Sequence, residues 1–374
     1  MWAMAVKEFR EMSRDRRMLG MLIAMPILLL VVFGYAASFD VSSVKTIVVG
    51  PQAELMAARF SAIPNSPFDV VAVRPGDTES AGEDALRRGE ATVVIAADIA
   101  KPEILIDGSD LFGAKTAVAA FANIGAQAGA GSSAASLPFV LPAPRILFNP
   151  DLKTSTIMVP GLAGMILLFI AMVATSLGVV RERASGTLEQ LAVMPIRPTD
   201  VFVGKILPYL VLAVIDLAIV IAAGILIFGT PFNGNPLIFA LGAGLFLFVA
   251  LGLGVLISTV SETQGQAMQL AIMVALPQIL LSGMIFPLDS IPWGVRWISY
   301  FLPLTYYNQV ARGVLVRGAP LDALVAPLVA LAILSVLVFG LSVLRFRRDL
   351  TPAGSGRPNQ GPMAPAAHEA GDAA

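Results

Sequence analysis

Few residues in this chain are of a type that could do chemistry, and what is missing narrows the field. Cysteine is absent and the single histidine, His368, sits near the C-terminal end. Disulfides, thiolate metal sites and a cysteine nucleophile are thereby excluded, and so is histidine acid–base work within the apolar body. Neither HExxH nor GxSxG occurs, which argues against an intramembrane hydrolase. The densest polar stretch is 181–205, with four basic and three acidic residues between two apolar runs. Within it, Thr187 followed three residues later by Gln190 forms a capping box. The short helix it starts puts Leu188 and Leu191 on one face and Glu189 on another. Pro195 and Pro198 stop it. Such a helix either offers a handle to something outside the chain or lies on lipid headgroups.

Two further groups stand out inside apolar runs. Asp216 lies near the middle of one, where a charge facing lipid costs about 2.5–3.5 kcal/mol on insertion scales. It serves either as a proton or cation site or as a polar clamp to a neighbouring helix. Met158, Met165 and Met172 recur every seven residues on another run, and Gln278 and Ser282 lie on a third. Flexible methionines suit varied apolar ligands, but such a stripe equally serves helix packing.

The elements that must hold these residues follow from composition. The chain is 56% hydrophobic and 14% charged, with net charge −1 and mean hydropathy +0.79. Soluble domains carry about 25% charged residues, so the excess apolar surface needs lipid as its solvent. Six runs are long enough to cross the ~30 Å hydrocarbon layer: 18–38, 157–180, 206–228, 237–260, 267–288 and 321–344. Backbone in lipid must pair within its own segment, so all six are predicted helices. Residues 1–17 have the pattern of an amphipathic helix lying on the cytoplasmic surface. The run 18–38 exceeds the ~7–15 residues of a signal-peptide core and is expected to be a retained anchor. Gly242, Gly244, Gly252 and Gly254 give the fourth run a small-residue side for close helix approach.

Residues 39–155 differ, with thirteen acidic and nine basic residues between Asp40 and Ser155. Strands are predicted at 44–49, 68–73, 91–96 and 104–107, and helices at 51–62 and 78–88. This reads as a small α/β domain, with the Ala/Gly/Ser-rich, partly helical stretch 115–135 as a connecting arm. Arginine and lysine counts set the orientation. Thirteen lie in segments assigned to the cytoplasm, against Arg296, Arg312 and Arg317 outside. Between 288 and 318, Trp293, Trp297, Tyr300, Phe301, Tyr306 and Tyr307 suggest the lipid–water boundary. Proline breaks at 287, 292 and 303 divide this segment into two short helices or an interfacial loop.

Four stretches then carry a resemblance. FNPDLKTSTIMVPGLAGMIL enters the second span, RERASGTLEQLAVMPI follows it, LPQILLSGMIFPLDSIPW closes the fifth, and YFLPLTYYNQVARGVLVRG precedes the sixth. In order and placement the chain resembles the permease subunit of type-2 ATP-binding-cassette exporters, from Met1 to about Arg348. The resemblance implies a mainly α membrane protein of six transmembrane helices. An N-terminal amphipathic elbow helix (1–17) precedes helix one (18–38), and an extracytoplasmic α/β domain and arm (39–155) follow. Helices two to six occupy 156–348, with a coupling helix near 182–194 and an outer re-entrant segment near 288–318. Residues 349–374 read as a disordered cytoplasmic tail.

By matching position, the resemblance implies ATPase contact by Glu182, Gly186, Thr187, Leu188, Glu189 and Leu191. It also implies an outer gate at Ser282, Gly283, Phe286 and Pro287. No GxxxxGK[ST] loop occurs, so hydrolysis is expected on a separate ATPase chain. This chain is then a transporter subunit rather than an enzyme, binding no cofactor or metal itself, with ATP and Mg acting through the partner. Expected partners are two ABC ATPase copies, a second permease copy or close homologue, membrane lipids and a periplasmic adaptor, and no nucleic acid. The implied location is a bacterial plasma membrane, the inner one in Gram-negative cells, with both termini cytoplasmic. The implied cargo is hydrophobic or amphipathic: drug-like, lipid or glycan. The alternative is a non-transporting subunit that relays force or a signal to its extracytoplasmic domain.

Overall fold

The structure, a computed structural model, describes residues 43–63, 66–98, 102–129, 142–184 and 198–350. The predicted elbow helix and first span, most of the coupling helix and the C-terminal tail beyond Leu350 lie outside these residues; Asp349 and Leu350 end the last helix.

The first part is a three-layer α/β domain. Its elements are β1 (Val44–Val49), α1 (Ala53–Ser61), β2 (Phe68–Arg74), α2 (Glu79–Arg88), β3 (Val93–Ala96), β4 (Glu103–Asp107), α3 (Leu111–Gly129) and β5 (Arg145–Leu147). The strand order is β2-β1-β3-β4-β5, with only the β3–β4 pair antiparallel. Central strands are covered on both faces, which is why VVIA and ILI read as unbroken apolar runs. Val44, Val48, Val93, Ile95, Ile104 and Ile106 meet α1 and α3 on one face, while Ile47, Val49, Val94 and Leu105 meet Ala85 and Leu86 of α2 on the other. The 115–135 stretch is therefore not wholly an arm. Its helix begins at Leu111, and Ala114, Ala117, Phe121 and Ile124 are buried against the sheet. The strand β5 was not expected.

The second part is a helical bundle. Among the described residues, five helices are long and apolar enough to cross a membrane: α4 (Thr154–Ala184), α5 (Pro198–Phe228), α6 (Pro236–Val260), α7 (Gln264–Leu281) and α10 (Leu321–Leu350). Between α7 and α10 lie two short helices, α8 (Trp293–Ser299) and α9 (Pro303–Arg312), and a π-turn over Gly313–Arg317. Asn235 caps α6 by accepting from the Leu237 N–H (2.8 Å), with Pro236 at the first helical position. At α7 the Thr263 hydroxyl accepts from the Gln266 N–H (3.2 Å). α6 is the central helix, packed on α4 and α10 and burying Phe246, Leu247, Ala250 and Leu251. α5 and α10 instead leave Leu212, Ile215, Ile219, Ile333 and Val336 exposed, as lipid-facing side chains would be.

Three expectations need correction. The fifth span ends at Leu281 rather than Leu288, because Gly283 adopts φ 76° and Pro287 bars helix continuation. The four glycines of α6 do not share one side. An added Cβ would meet Val310 of α9 at Gly242, Val338 of α10 at Gly252 and the Met172 carbonyl of α4 at Gly254, and nothing within 4 Å at Gly244. Tyr307 is not at a boundary: it is 1% exposed, stacked on Phe246 with ring centroids 4.6 Å apart.

Candidate functional site

The place where polar chemistry concentrates is the seam between the α/β domain and the bundle. α9 forms its inner wall. Pro303 occupies the first turn of α9, and Leu304, Tyr307, Val310 and Ala311 of the helix are buried in the bundle. Phe246, which stacks on Tyr307, lies ten residues into α6. At 1.5 Å per residue that is about 15 Å from the helix start, roughly half a hydrocarbon layer. α9 is therefore packed inside the bundle rather than across its end.

A polar clamp holds α9 against α7. The Gln278 side-chain oxygen accepts from the Leu304 N–H (3.4 Å), and the Asn308 amide donates to the Ser282 hydroxyl (3.2 Å) and carbonyl (3.4 Å). Arg312, at the C-terminal end of α9, donates to the Met284 carbonyl (3.0 Å). In an apolar surround such bonds gain strength, and breaking them leaves costly orphans.

Ion pairs join the domain to the bundle over this clamp. Arg317 Nη1 stands 3.7 Å from Asp107 at the end of β4, and Lys45 of β1 stands 3.6 Å from Asp289. Arg88 of α2 pairs with Asp322 at the start of α10, and Arg296 of α8 pairs with Asp289. Burial pushes the Asp107 carboxyl above the usual carboxylate range, and Arg317 and the Ser109 N–H offset only part of that. The three arginines that break the charge-orientation pattern thus all face acceptors within this protein. Sequence reasoning named these residues but missed their partners. Their signal was present as the pair Arg312 and Arg317 in an otherwise apolar, glycine-flanked stretch.

Of the predicted gate, Ser282, Gly283 and Pro287 line one polar cavity at the seam, and Phe286 is buried beside it among Leu280, Leu281, Ile291 and Val295. The predicted substrate path is not gathered in one place. Gln278 and Ser282 bind α9. Met158 borders a small recess with Leu111 and Ile157. Met165 packs at the edge of the bundle core, and Met172 is fully buried where α6 crosses α4. Asp216 stands apart on α5, and its Oδ2 is buried with no hydrogen-bond partner among the described residues. Of the predicted coupling residues, only Glu182 is described, near the C-terminal end of α4. Next to it Arg183 donates to the Ser258 carbonyl (3.1 Å) at the end of α6. Gly186, Thr187, Leu188, Glu189 and Leu191 lie outside the described residues. Among those residues, no cluster of His, Cys, Asp or Glu suits a metal ion.

Comparison with known proteins supplies a context. A family model described as "ABC-2 family transporter protein" matches residues 16–344. Over 364 residues the chain is 29% identical to the probable multidrug ABC transporter permease YbhS of Escherichia coli strain K12, spanning 93% of this chain and 97% of that protein. It is 33% identical over 220 residues to the inner membrane transport permease YhhJ of the same strain, 58% of each chain. Over 200 residues it is 31% identical to ABC transporter G family member 20 of Dictyostelium discoideum, 52% of this chain and 27% of that protein.

Proposed function

Because the chain belongs to the ABC-2 family of transporter proteins, and so is a multi-pass transport permease, we propose that it is the membrane subunit of an ATP-driven exporter. Its cargo in this reading is a hydrophobic or amphipathic molecule taken from the cytoplasm or inner leaflet. The observation that carries the reading is α9, a helix whose Tyr307 stacks on Phe246 inside the apolar bundle and which is tied to α7 through Gln278, Ser282 and Asn308. Such a plug can be withdrawn by a small displacement of α7, which is what an outer gate requires. The name of YbhS, a relative aligned almost end to end, points the same way.

The finer arrangement is part of the proposal. Residues 18–38 form a sixth span led by an amphipathic elbow helix, both termini are cytoplasmic, and the α/β domain is extracytoplasmic. The acceptors found for Arg296, Arg312 and Arg317 support this orientation, since these residues are held by the protein itself. The coupling segment then belongs at the opposite end. α4 has 31 residues, about 46 Å of helix, so its end at Ala184 is far from the domain that packs near its start. A partner ATPase, in two copies beside two permeases, binds ATP and Mg and displaces the Leu188/Leu191 face. Rigid α4 and α5 carry that displacement to the seam. A bias of this kind needs contacts that differ between the two states. The membrane is a bacterial plasma membrane, the inner one in a Gram-negative cell, and a periplasmic adaptor docks on the α/β domain.

The test is co-purification with a candidate ABC ATPase, followed by a screen for compounds that stimulate hydrolysis and are exported. Leu188→Asp is expected to insert normally yet to lose substrate-stimulated hydrolysis and export together. Unchanged stimulation in that variant would refute the coupling assignment. The ion pairs that fasten the domain to the bundle also favour a second reading, a subunit relaying force or a signal to that domain. It is distinguished by ATPase coupling without substrate flux.

A further inference from the structure

The polar cavity at the seam has a volume of about 230 Å3 and is walled by Ser109 and Asp110 of the domain, Ser282 and Asp289, and Arg312 and Arg317. At ~30 Å3 per water it has room for about seven waters. That is below the ~300–1,000 Å3 typical of drug-sized ligands. It is ample for a small charged group.

Its carboxylates are already engaged, whereas its guanidiniums are engaged only in part. Asp110 accepts from the Gly113 N–H (3.2 Å) and the Thr92 hydroxyl (3.1 Å). Asp289 is held between Arg296 and Lys45, and Asp107, just behind the wall, accepts from the Ser109 N–H (2.8 Å). Each guanidinium has five N–H donors. The described residues give Arg312 one acceptor, the Met284 carbonyl, and give Arg317 only Asp107 at 3.7 Å, beyond hydrogen-bond range. The Nε of both arginines is buried without a partner. Around the seam Lys45, Arg296, Arg312 and Arg317 face Asp107, Asp110 and Asp289, which leaves one positive charge in excess.

The backbone is shaped to present both arginines. Residues five apart in an α-helix stand roughly 140° apart around the axis. The π-turn over Gly313–Arg317 winds wider, and Arg312 and Arg317 both line the cavity. On the domain side Gly89 adopts φ 74°, and a Cβ there would lie 2.8 Å from Arg317 Nη1, so a larger residue would displace the guanidinium.

We propose that this cavity binds a phosphate group through Arg312 and Arg317, which offer the forked donors that phosphate oxygens accept. The group comes either from an anionic phospholipid headgroup or from a soluble phosphate. This site goes beyond the transport reading and is tested without an ATPase, so the failure of one does not touch the other. Full-length chain in detergent is mixed with dioleoylphosphatidylglycerol or, as the uncharged control, dioleoylglycerol, and retention is read by native mass spectrometry. Inorganic phosphate is titrated in parallel by calorimetry. Wild type is expected to retain one phosphatidylglycerol and no dioleoylglycerol, or to bind phosphate at one site. Retention that phosphate does not displace assigns the headgroup, and displacement assigns a pocket for free phosphate.

Arg312→Gln with Arg317→Gln is expected to weaken binding at least about tenfold. Assayed at alkaline pH, where the buried carboxyl is ionised, Asp107→Asn keeps the acceptor for Ser109, removes a negative charge behind Arg317, and is expected to tighten binding about threefold or more. Should the arginine variant fail to fold, Asp107→Asn decides alone, and unchanged or weaker binding there overturns the proposal. Absence of binding to either probe, or equal binding by wild type and a folded arginine variant, overturns it as well.

Discussion

Removing one oxygen from Tyr307 separates packing from chemistry at the centre of the proposed gate. The ring is 1% exposed, stacks on Phe246 at 4.6 Å and meets Phe239 edge-on at 6.4 Å. Its hydroxyl is buried with no hydrogen-bond partner among the described residues. A buried polar group without a partner costs about 1–3 kcal/mol, whereas a ring of the same shape without the hydroxyl gives up no packing. Tyr307→Phe is therefore expected to leave the unfolding free energy unchanged or to raise it by about 1 kcal/mol. Tyr307→Ala removes the stacked ring and is expected to cost about 3–5 kcal/mol, because two aromatic neighbours lose their contact. The assay is denaturant unfolding of the purified full-length chain in detergent, with near-ultraviolet circular dichroism as the readout of aromatic packing. A loss of more than about 1 kcal/mol in Tyr307→Phe would show that the hydroxyl has a partner, and would refute the reasoning from packing.

Gly164→Ala tests the same contact from the facing helix. Helix propensity favours alanine by about 1 kcal/mol, but its Cβ would stand 2.3 Å from the Tyr307 ring, and overpacking costs about 1–3 kcal/mol. Net destabilisation is expected, and a stabilised variant would mean that α4 and α9 do not touch as described. Asp107 has a folded-state pKa raised by burial, so its favourable contribution is complete below the unfolded value and is lost as pH rises through the folded one. The thermal midpoint of Asp107→Asn relative to wild type is therefore expected to climb as pH rises from about 4, the unfolded value, toward the raised folded one. A flat difference across that range refutes the burial argument. Asp216→Asn is expected to assemble normally and to ease insertion of α5 by up to about 3 kcal/mol, read as membrane yield. A fall in yield would show that the carboxylate has a partner.

What could be read from the residues depended on whether the cause was local. The strands β1, β3 and β4 were legible because burial on both faces makes their apolar character continuous, whatever their neighbours. β5 was not, since three residues pairing with β4 across some forty positions leave no local period. The end of α7 was written in Gly283 and Pro287 but masked by the hydropathy of the residues between them. Tyr307 and Trp297 look alike to composition. Trp297 is exposed, its indole N–H donating to the Gly294 carbonyl, while Tyr307 fills a gap opened by a glycine on another helix.

The same contrast explains the charges. Arg296, Arg312 and Arg317 contradict a count of lysines and arginines only if each is treated as free. Arg296 is answered by Asp289 a few residues away, Arg312 by a backbone carbonyl at Met284, and Arg317 by Asp107, more than two hundred positions earlier. A cation in an apolar stretch has to be answered somewhere. When the answer comes from the α/β domain, the docking of that domain and the placement of the segment carrying Arg317 cease to be independent. Displacing α9 moves Arg312 and the π-turn that follows it, and Arg317 of that turn joins the seam to the sheet at Asp107. Two of the exceptions to the orientation rule, Arg312 and Arg317, thus line the candidate site, which is why a local rule marked them and could not explain them.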